Sequence, residues 1–318
     1  MKMKILVTAT NYSKYCQAGK KMLEEKNYEI IENPHGRPYT YNELKDIVCD
    51  IDGVIAGVDT WDESIFKEAG KLKVIARFGV GVDNIDLKAA EKHGIVVCNA
   101  PGINSSAVAE HTVALILSLL RRIPDLNEKV RKGEWIRPMF HELKTQTIGF
   151  LGFGAVAKNA AVRLKNFGPA MLAYDKYPDH KTAEELGVKM VSLEDIFSQS
   201  DIISIHLPST PETEQLIDQK TIQKMKHGVY LINTARGNIV KEKDAAEAMK
   251  SGKIAGFATD VFEQEPIDIN GPLFRFDNYI ATPHVAAETY ENCETTSEVT
   301  AKEIIDVLEK RAPDNRLV

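Results

Sequence analysis

One stretch of the sequence, residues 147–175, constrains the fold more than any other. It reads TIGFLGFGAVAKNAAVRLKNFGPAMLAYD, with a short apolar run, glycines at 152 and 154, an alanine-rich segment and a second apolar run that ends on Asp175. This order predicts a strand, a tight turn, a helix and a second strand parallel to the first. The stretch therefore predicts the βαβ unit that binds dinucleotides.

Small and acidic residues of this stretch have physical roles in such a unit. Gly152 permits the tight turn, Gly154 lets the backbone approach a pyrophosphate, and Ala157 keeps the helix close to the sheet. The helix N-terminus presents free N–H groups to the phosphates. Asp175 follows Ala157 with seventeen residues between them, where a carboxylate binds ribose hydroxyls and repels a 2′-phosphate. The stretch predicts NAD rather than NADP as the cofactor, with an ordinary glycine turn as the alternative.

Composition and charge exclude several classes of protein. At 318 residues the chain is long enough for about two domains. Its net charge is −6 and it has no long basic run, which argues against nucleic acid as a partner. The first apolar run has only strand length, and the apolar segment near residues 107–120 is interrupted by Glu110 and His111. We therefore expect a cytoplasmic protein that neither enters a membrane nor is secreted.

The four cysteines are widely spaced and form no CxxC pair; they are at positions 16, 49, 98 and 293. This spacing predicts reduced, mostly buried cysteines rather than a metal cluster or a disulfide framework. We expect no bound metal.

Strand-length apolar runs alternate with amphipathic helical stretches along the whole chain. The other predicted helices lie near residues 13–26, 41–49, 62–69, 86–93, 219–225 and 241–251. Such alternation is typical of parallel sheets covered by helices on both faces. The predicted fold is α/β, with two doubly wound parallel-sheet domains and a cleft between them.

Two longer helices indicate how the domains are divided. The segment from Ser105 to Arg122, with the serine as its expected N-cap, is apolar on more than one face and must be buried on more than one side. It either connects two domains or lies in a subunit interface. A final helix over residues 288–310 is expected to pack on the first domain. The predicted domains are a discontinuous substrate domain, 1–103 plus 286–318, and an NAD-binding Rossmann domain, 104–285.

Three later segments each place a polar residue just after an apolar strand. Arg236 follows LINTA, Asp260 and Glu265 lie in TDVFEQEP, and His284 ends ATPH. Ligands of open α/β sheets bind at this end of the strands. Each residue alone could be an ordinary surface residue. Together they suit an oxidoreductase, which needs a guanidinium to bind a carboxylate, an acid–base group for a carbonyl under hydride attack, and a carboxylate to orient that group.

With these motifs the chain resembles the D-isomer specific 2-hydroxyacid dehydrogenase family, most closely its D-3-phosphoglycerate dehydrogenase branch without a regulatory domain. The resemblance rests on LKVIARFGVGVDNID, PGINSSAVAEHT, GFGAVA, HLPSTPET, NTARG, DVFEQEP and TPHVA, in that order. It implies a flavodoxin-like substrate domain and hydride transfer between NADH and a D-2-hydroxyacid/2-oxo acid pair. It also implies a catalytic triad of Arg236, Glu265 and His284.

The resemblance implies further binding residues. Those for NAD are Gly152, Gly154, Ala155, Val156, Ala157, Asp175, Leu207, Pro208, Thr234, Ala235 and Asp260. Those for the substrate are Arg77, Val80, Gly81 and Asn104. In this scheme Asp260 holds the nicotinamide carboxamide, and the loop at Val80 offers N–H groups to the substrate carboxylate. As alternatives, Asn104 could serve merely as the cap of the long helix, and Asp260 could merely be the residue at the end of a strand.

The sequence departs from the family pattern in two places. The first removes one expected contact to the cofactor phosphates, and the second weakens the first expectation, which is that the substrate is 3-phosphoglycerate. Ala155 and Ala157 stand where the family often has a basic residue and a glycine, and Gly57 stands where phosphoglycerate members usually have an arginine. The alternatives to 3-phosphoglycerate oxidation are a hydroxypyruvate or glyoxylate reductase, a formate- or phosphite-oxidising enzyme, and a non-catalytic NAD-sensing protein. The expected partners are a small 2-hydroxy or 2-oxo acid and a second copy of the chain, bound through the NAD-binding domain.

Overall fold

In the computed structural model, which describes residues 2–318, the chain divides into two compact units. The first unit comprises Met1–Asn104 and Glu288–Val318, and the second comprises Ser105–Ala287. The predicted domain limits differ from these by one or two residues. Each unit contains one β-sheet.

The strands are short and are separated by helices over most of the chain. In chain order the strands are β1 (Lys4–Val7), β2 (Glu29–Glu32), β3 (Gly53–Ala56), β4 (Val74–Arg77), β5 (Val96–Cys98), β6 (Thr147–Leu151), β7 (Ala170–Tyr174), β8 (Val188–Met190), β9 (Ile202–Ile205), β10 (Val229–Asn233), β11 (Ile254–Thr259) and β12 (Tyr279–Ala281). The helices are α1 (Tyr12–Tyr15), α2 (Ala18–Glu25), α3 (Tyr41–Val48), α4 (Glu63–Glu68), α5 (Leu87–Lys92), α6 (Ser105–Arg121), α7 (Ile123–Arg131), α8 (Ala155–Leu164), α9 (His180–Leu186), α10 (Leu193–Gln199), α11 (Gln219–Lys224), α12 (Glu242–Lys250) and α13 (Tyr290–Leu308).

Both sheets are parallel and doubly wound. The five-stranded sheet of the first unit has the order β2-β1-β3-β4-β5, and the seven-stranded sheet of the second has the order β12-β11-β10-β9-β6-β7-β8. All of their strand pairs are parallel. The first order is that of flavodoxin-like sheets, and the second is the Rossmann order extended by one strand. The predicted fold class of two doubly wound parallel-sheet domains is confirmed.

In the first unit, successive residues of each strand face opposite layers of helices. Leu6 and Val54 pack against α3, α4 and α5, whereas Ile5, Val7 and Ile55 pack against α1, α2 and α13. Burial on both faces explains why the strands read as nearly continuous apolar runs. The final helix therefore belongs to the first unit.

The second unit is built in the same way. Ile148 and Phe150 of β6 face the layer formed by α6, α8 and α9, and Leu151 faces the layer formed by α10, α11 and α12. Helix α6 thus covers one face of the sheet, with Leu115 and Leu119 almost fully buried. This packing explains its apolar composition without a subunit interface.

Several elements differ from the sequence-based prediction. The first predicted helix is split into α1 and α2, and α2 begins where the side chain of Glu294 accepts hydrogen bonds from the backbone N–H groups of Gln17 and Ala18, at 2.8 Å each. This capping carboxylate comes from α13, so local sequence did not reveal it. Ser105 is the first residue of α6 and not its N-cap.

Strand β8 and helices α7, α9 and α10 were not predicted, although the sequence carries signals for two of them. Asp179 accepts a hydrogen bond from the N–H of Thr182 at the start of α9, and Gly187 ends that helix in the left-handed conformation at φ 72°. Ser192 and Asp195 form a capping box at the start of α10. An acidic or hydroxyl cap and a terminal glycine are recognised helix boundaries.

The prediction of four reduced cysteines is wrong for one pair. Cys16 and Cys293 form a disulfide within the first unit, with their Cα atoms 6.0 Å apart. The two residues are separated by 277 positions, and they meet because α13 returns to pack beside α2. Cys98 is a buried free cysteine and Cys49 is exposed.

No helix within residues 2–318 has both the length and the apolar character needed to cross a membrane.

Candidate active site

The carboxyl ends of the parallel strands in the second unit bring most of the predicted cofactor and catalytic residues to one edge of its sheet. The loop after β6 carries the glycines, β7 leads to Asp175, and β9 leads to Leu207 and Pro208. The segments after β10, β11 and β12 carry Arg236, Asp260 with Glu265, and His284. The fold therefore places these residues where open α/β sheets bind ligands.

The turn after β6 requires glycine at position 152, whereas Gly154 leaves open space beside the turn. Gly152 has φ 89°, and a Cβ built on it would lie 2.7 Å from the carbonyl oxygen of His206. A Cβ on Gly154 would meet nothing within 4 Å and would project into open space at the start of α8. That space is where a pyrophosphate approaches the N–H groups of the helix N-terminus, so the residues present fit the cofactor that the sequence predicts.

Asp175 is held in place beside the glycine turn. Its Oδ2 atom accepts a hydrogen bond from the backbone N–H of Phe153 at 2.7 Å, and its Oδ1 atom accepts one from the N–H of Tyr177 at 2.8 Å. Each carboxylate oxygen has a second lone-pair direction, which a ribose hydroxyl can use. This geometry is compatible with the predicted contact between Asp175 and a ribose, which stays a prediction.

Glu265 and His284 form a charge-assisted pair. His284 Nδ1 lies 2.8 Å from Glu265 Oε2, and the other carboxylate oxygen accepts a hydrogen bond from the N–H of Phe262 at 3.0 Å. The bond to Glu265 raises the pKa of His284 above its ordinary value, although burial opposes this. Burial favours the neutral form of Glu265 and acts to raise its pKa. The hydrogen bond from His284 and the positive charge of that histidine act in the opposite direction, and the pKa of the Glu265 carboxyl is lowered. Nε2 of His284 is left for a reacting group.

Arg236 lies on a loop that is fixed by its own hydrogen bonds. The side-chain amide of Asn233 donates to the carbonyl of Arg236 at 2.9 Å, and the guanidinium donates to the carbonyl of Ala235 at 2.7 Å. A Cβ on Gly237 would lie 1.9 Å from the carbonyl carbon of Phe262, so only glycine fits there. The NTARG loop and the segment that leads to Glu265 are thus packed together. The positive charge of Arg236 contributes to the lowered pKa of Glu265 and partly offsets the rise in the pKa of His284.

Asp260 is almost fully buried at the end of β11. Its Oδ1 atom accepts hydrogen bonds from Thr282 Oγ1 at 2.6 Å and from the N–H of Val285 at 2.9 Å, and its Oδ2 atom accepts one from the N–H of Ala286 at 2.8 Å. A carboxylate has about four acceptor positions. One position therefore remains for a carboxamide donor, so the predicted contact with nicotinamide is compatible with the structural bonds.

The predicted substrate residues of the first unit lie at the ends of β4 and β5. Arg77 is the last residue of β4, and its guanidinium donates to the carbonyl of Phe78. The following loop holds Val80 and Gly81, and Asn99 donates to the carbonyl of Val80 at 2.8 Å. Asn104 directly precedes α6. Their contacts with substrate stay predictions.

Gly57 lies in a crowded part of the first unit. A Cβ there would be 3.1 Å from Ala9 Cα and 3.1 Å from the carbonyl oxygen of Thr8, both of them backbone atoms. The N–H of Gly57 donates to Thr8 Oγ1 at 2.8 Å. A side chain at position 57 would therefore make tight contacts with the backbone that follows β1.

Some residues of the site were not found by sequence reasoning. His111 and Thr112 of α6 contact Thr282 and Thr234, respectively. From the sequence, these two α6 residues were expected only to be part of a largely apolar helix. A histidine followed by a threonine in an otherwise apolar helix was the available signal. Within residues 2–318 no three His, Cys, Asp or Glu side chains are grouped so as to hold a metal ion.

Comparison with known protein families gives one match over more than half of the chain. Residues 113–286 match the family described as "D-isomer specific 2-hydroxyacid dehydrogenase, NAD binding domain". These residues cover the glycine turn, Asp175, Arg236, Glu265 and His284. The match confirms the predicted family and the prediction of NAD as the cofactor.

Individual relatives divide into two groups by length. The chain is 43% identical over 248 residues to a D-3-phosphoglycerate dehydrogenase of Archaeoglobus fulgidus, covering 77% of this chain but only 47% of that relative. It is 38% identical over 306 residues to a glyoxylate reductase of Thermofilum pendens, covering 93% of this chain and 90% of that relative. The solved structure of D-lactate dehydrogenase from Escherichia coli is 31% identical, with a TM-score of 0.88 and coverage of 99% and 100%.

Proposed function

The chain belongs to the D-isomer specific 2-hydroxyacid dehydrogenase family, and from this premise we propose that it is an NAD-dependent oxidoreductase that interconverts a 2-oxo acid and a D-2-hydroxyacid. The observation that carries the proposal is the 2.8 Å contact between His284 Nδ1 and Glu265 Oε2, on the same sheet edge as Arg236. A paired imidazole beside a guanidinium suits proton transfer to an oxyanion of a bound carboxylate substrate.

Bound NADH would supply the hydride for the carbonyl carbon of the 2-oxo acid. The proton comes from Nε2 of His284, because Nδ1 is bound to Glu265. The raised pKa of His284 keeps the imidazolium populated when reduction begins. In oxidation the neutral imidazole takes the hydroxyl proton instead. Glu265 fixes the ring orientation and stabilises its charge.

Arg236 would bind the substrate carboxylate through two parallel N–H bonds and polarise the adjacent carbonyl. Asp175 would bind the adenosine ribose, and the turn from Gly152 to Val156 would hold the pyrophosphate. Asp260 would bind the nicotinamide carboxamide through its remaining acceptor position. The remaining proposed cofactor contacts are those of Thr234, Ala235, Leu207 and Pro208.

A small unphosphorylated 2-oxo acid, such as hydroxypyruvate or glyoxylate, is the substrate class that the geometry favours. A phosphate adds up to about two negative charges and needs several cationic or N–H donors. Gly57 has no side chain to bind a phosphate. Backbone atoms of Thr8 and Ala9 lie 3.1 Å from the point where its Cβ would be. The relatives that match this chain over nearly their full length include a glyoxylate reductase.

Phosphorylated substrates are the second candidate. The supporting observation is the 43% identity to a D-3-phosphoglycerate dehydrogenase, of which the chain spans about half the length. Arg77, together with the N–H groups of Val80 and Gly81, would then be needed for the substrate.

Two substrates separate these candidates in one experiment. Initial rates with phosphohydroxypyruvate and hydroxypyruvate, at low and at moderate salt, should show higher kcat/KM for hydroxypyruvate at every salt concentration. A phosphate site would instead favour phosphohydroxypyruvate by at least about tenfold and lose part of that preference as salt screens it. The protein could also bind NADH tightly but fail to oxidise it with phosphohydroxypyruvate, hydroxypyruvate or glyoxylate. That result would support a non-catalytic NAD-sensing protein. NAD⁺ reduction by formate or phosphite alone would support the remaining alternative.

The proposed partner is a second copy of the chain, bound through the second unit. The segment from Ile123 to Phe140 exposes several large apolar side chains, including Trp135 at 82% and Met139 at 94%. A cluster of exposed apolar side chains is typical of a protein interface. A cytoplasmic location is also proposed. Recovery of the protein in the cytosolic fraction of gently lysed cells would support this location, and recovery outside that fraction would refute it.

A further inference from the structure

Asp260 lies at the centre of a network beneath the segment that carries His284. Thr282 donates to Asp260 on one side of that histidine, and the N–H groups of Val285 and Ala286 donate to it on the other. Between these anchors His284 has φ 54°, a left-handed conformation that residues other than glycine rarely adopt. The network therefore holds the histidine in a backbone conformation that is unfavourable by itself.

His111 extends this network to α6. Its Nε2 atom lies 3.0 Å from Thr282 Oγ1, and that hydroxyl is 2.6 Å from Asp260 Oδ1. A hydroxyl has one hydrogen, and Thr282 donates it to the carboxylate. His111 must therefore donate through Nε2–H to the threonine oxygen. With Asp260 ionised, donation runs from His111 to Thr282 to Asp260, and His111 Nε2 also lies 3.7 Å from Asp260 Oδ1.

Thr112, the next residue of α6, reaches the other catalytic loop. Its hydroxyl donates to the carbonyl of Val108 at 2.8 Å and lies 2.9 Å from Thr234 Oγ1. Because the hydrogen of Thr112 is already used, Thr234 is the donor to Thr112. Thr234 precedes Arg236 by two residues, as Thr282 precedes His284 by two. Neighbouring residues of one helix thus bind the two segments that carry the proposed acid and the proposed guanidinium.

We propose that His111 and Thr112 are positioning residues, which set the relative placement of His284 and Arg236 by binding Thr282 and Thr234. Neither residue is assigned a contact with substrate or cofactor. The inference rests on the proposed function, because it concerns how the same catalytic groups are aligned.

Helix α6 is suited to this role because it is firmly anchored in its own unit. Leu115, Ile116 and Leu119 are almost fully buried against the sheet, and Glu110 forms an ion pair with Arg163 of α8 at 2.8 Å. Reacting groups carried on loops need such support to keep their alignment. Displacement by about 1 Å can cost on the order of 10²-fold in rate.

Two pairs of variants test the proposal. His111→Leu and Thr112→Val remove the hydrogen-bonding groups with little change in volume, whereas His111→Gln and Thr112→Ser keep a donor and a hydroxyl. The measurements are kcat and KM with hydroxypyruvate or glyoxylate, the NADH Kd from fluorescence, and Tm. Thr112→Val is nearly isosteric, so it tests the bond without creating a cavity.

We expect His111→Leu and Thr112→Val each to lose about tenfold in kcat, while KM and the NADH Kd stay within about threefold of the wild type. His111→Gln and Thr112→Ser should keep most of the wild-type kcat. If the role were purely structural, His111→Leu and Thr112→Val would lower Tm without this selective loss of kcat. The conservative variants would then not restore kcat.

The proposal is overturned if His111→Leu and Thr112→Val keep wild-type kcat. It is also overturned if His111→Gln and Thr112→Ser lose as much kcat as His111→Leu and Thr112→Val. If one removal variant does not fold, the pair at the other position decides. A wild-type protein that binds NADH but reduces no 2-oxo acid refutes the proposed function. Wild-type turnover with unaffected variants refutes only the positioning role.

Discussion

At the scale of single residues, the site depends on charges that stabilise one another at short range. Glu265 raises the pKa of His284 through their hydrogen bond, and the charge of Asp260 acts in the same direction. Burial and the charge of Arg236 oppose them. The imidazolium thus persists to higher pH than in a free histidine, which is the form that reduction requires.

Glu265→Gln should shift the pH dependence of reduction. Loss of the carboxylate removes the largest cause that raises the pKa of His284. The protonated form of His284, and with it the reduction activity, should therefore be lost at lower pH than in the wild type. The measurement is kcat/KM for reduction against pH. Glu263→Gln, two residues away, is the control and should leave the profile in place. An unchanged profile in Glu265→Gln would exclude that residue from the mechanism.

His284→Ala should remove the acid altogether and lower kcat by about 10²–10⁴-fold, with NADH still bound.

Arg236→Lys should lower kcat/KM by at least about tenfold, because an ammonium cannot form two parallel bonds to a carboxylate. Steady-state kinetics with a 2-oxo acid measure this loss. Arg275→Lys, the same change at an exposed arginine of the second unit, is the matched control. Near-normal efficiency of Arg236→Lys would refute the proposed carboxylate clamp.

Asp175→Ser should raise the KM for NADH by about tenfold and narrow the preference over NADPH, because the carboxylate no longer binds ribose hydroxyls or repels a 2′-phosphate. Kinetics with both cofactors measure the change. Glu212→Gln, at an exposed acid of the same unit, should leave the preference unchanged. Equal use of both cofactors by the unmodified protein would show that Asp175 has no such role.

At the scale of elements, helix α13 shows how a distant part of the chain completes the first unit. Its residues Ala301 and Ile304 pack against the sheet, Glu294 caps α2, and Ser297 accepts a hydrogen bond from the N–H of Gly19 at 3.1 Å. A Cβ on Gly19 would lie 2.2 Å from the carbonyl oxygen of Ser297, so the two helices pack with no room for a larger residue.

The disulfide between Cys16 and Cys293 should stabilise this pairing of elements. Cross-linking residues so far apart restricts the unfolded chain, and loss of a native disulfide typically costs about 2–5 kcal/mol. Cys293→Ser should therefore lower the Tm by several degrees under oxidising conditions. Cys49→Ser, at an exposed free cysteine, is the control. An identical wild-type Tm with and without a reductant would contradict the prediction.

At the scale of the whole molecule, exposed apolar side chains support the proposed association of two copies of the chain. Ile123, Val130, Trp135 and Met139 all lie within one exposed segment of the second unit. Burial of such side chains stabilises association, and replacing them with charged residues opposes it.

Trp135→Glu combined with Met139→Lys should convert a dimer into a monomer, measured as molar mass by light scattering after gel filtration. Tyr290→Glu, at a tyrosine that is 72% exposed in the first unit, is the control and should leave the dimer intact. A monomeric wild-type protein, or a double variant that remains dimeric, would refute association through this segment.

Local sequence determined a large part of the fold and the composition of the site. The βαβ unit from Thr147 to Asp175 and the alternation of strands and helices follow from periodicity and turn residues within a few positions of one another. Because parallel strands all end at the same edge, Arg236, Glu265 and His284 could be expected at one edge from their places after strands alone. The helices that were missed, α9 and α10, have local caps and were predictable on the same physical grounds.

Only the tertiary structure decided the contacts between residues far apart in sequence. Cys16 meets Cys293, Glu294 caps α2, and Gly237 must be glycine because of the backbone at Phe262. The links from His111 to Thr282 and from Thr112 to Thr234 likewise join residues 171 and 122 positions apart. Propensity and periodicity act over a few residues, whereas these contacts arise only when packed helices and strands bring distant groups within hydrogen-bonding range.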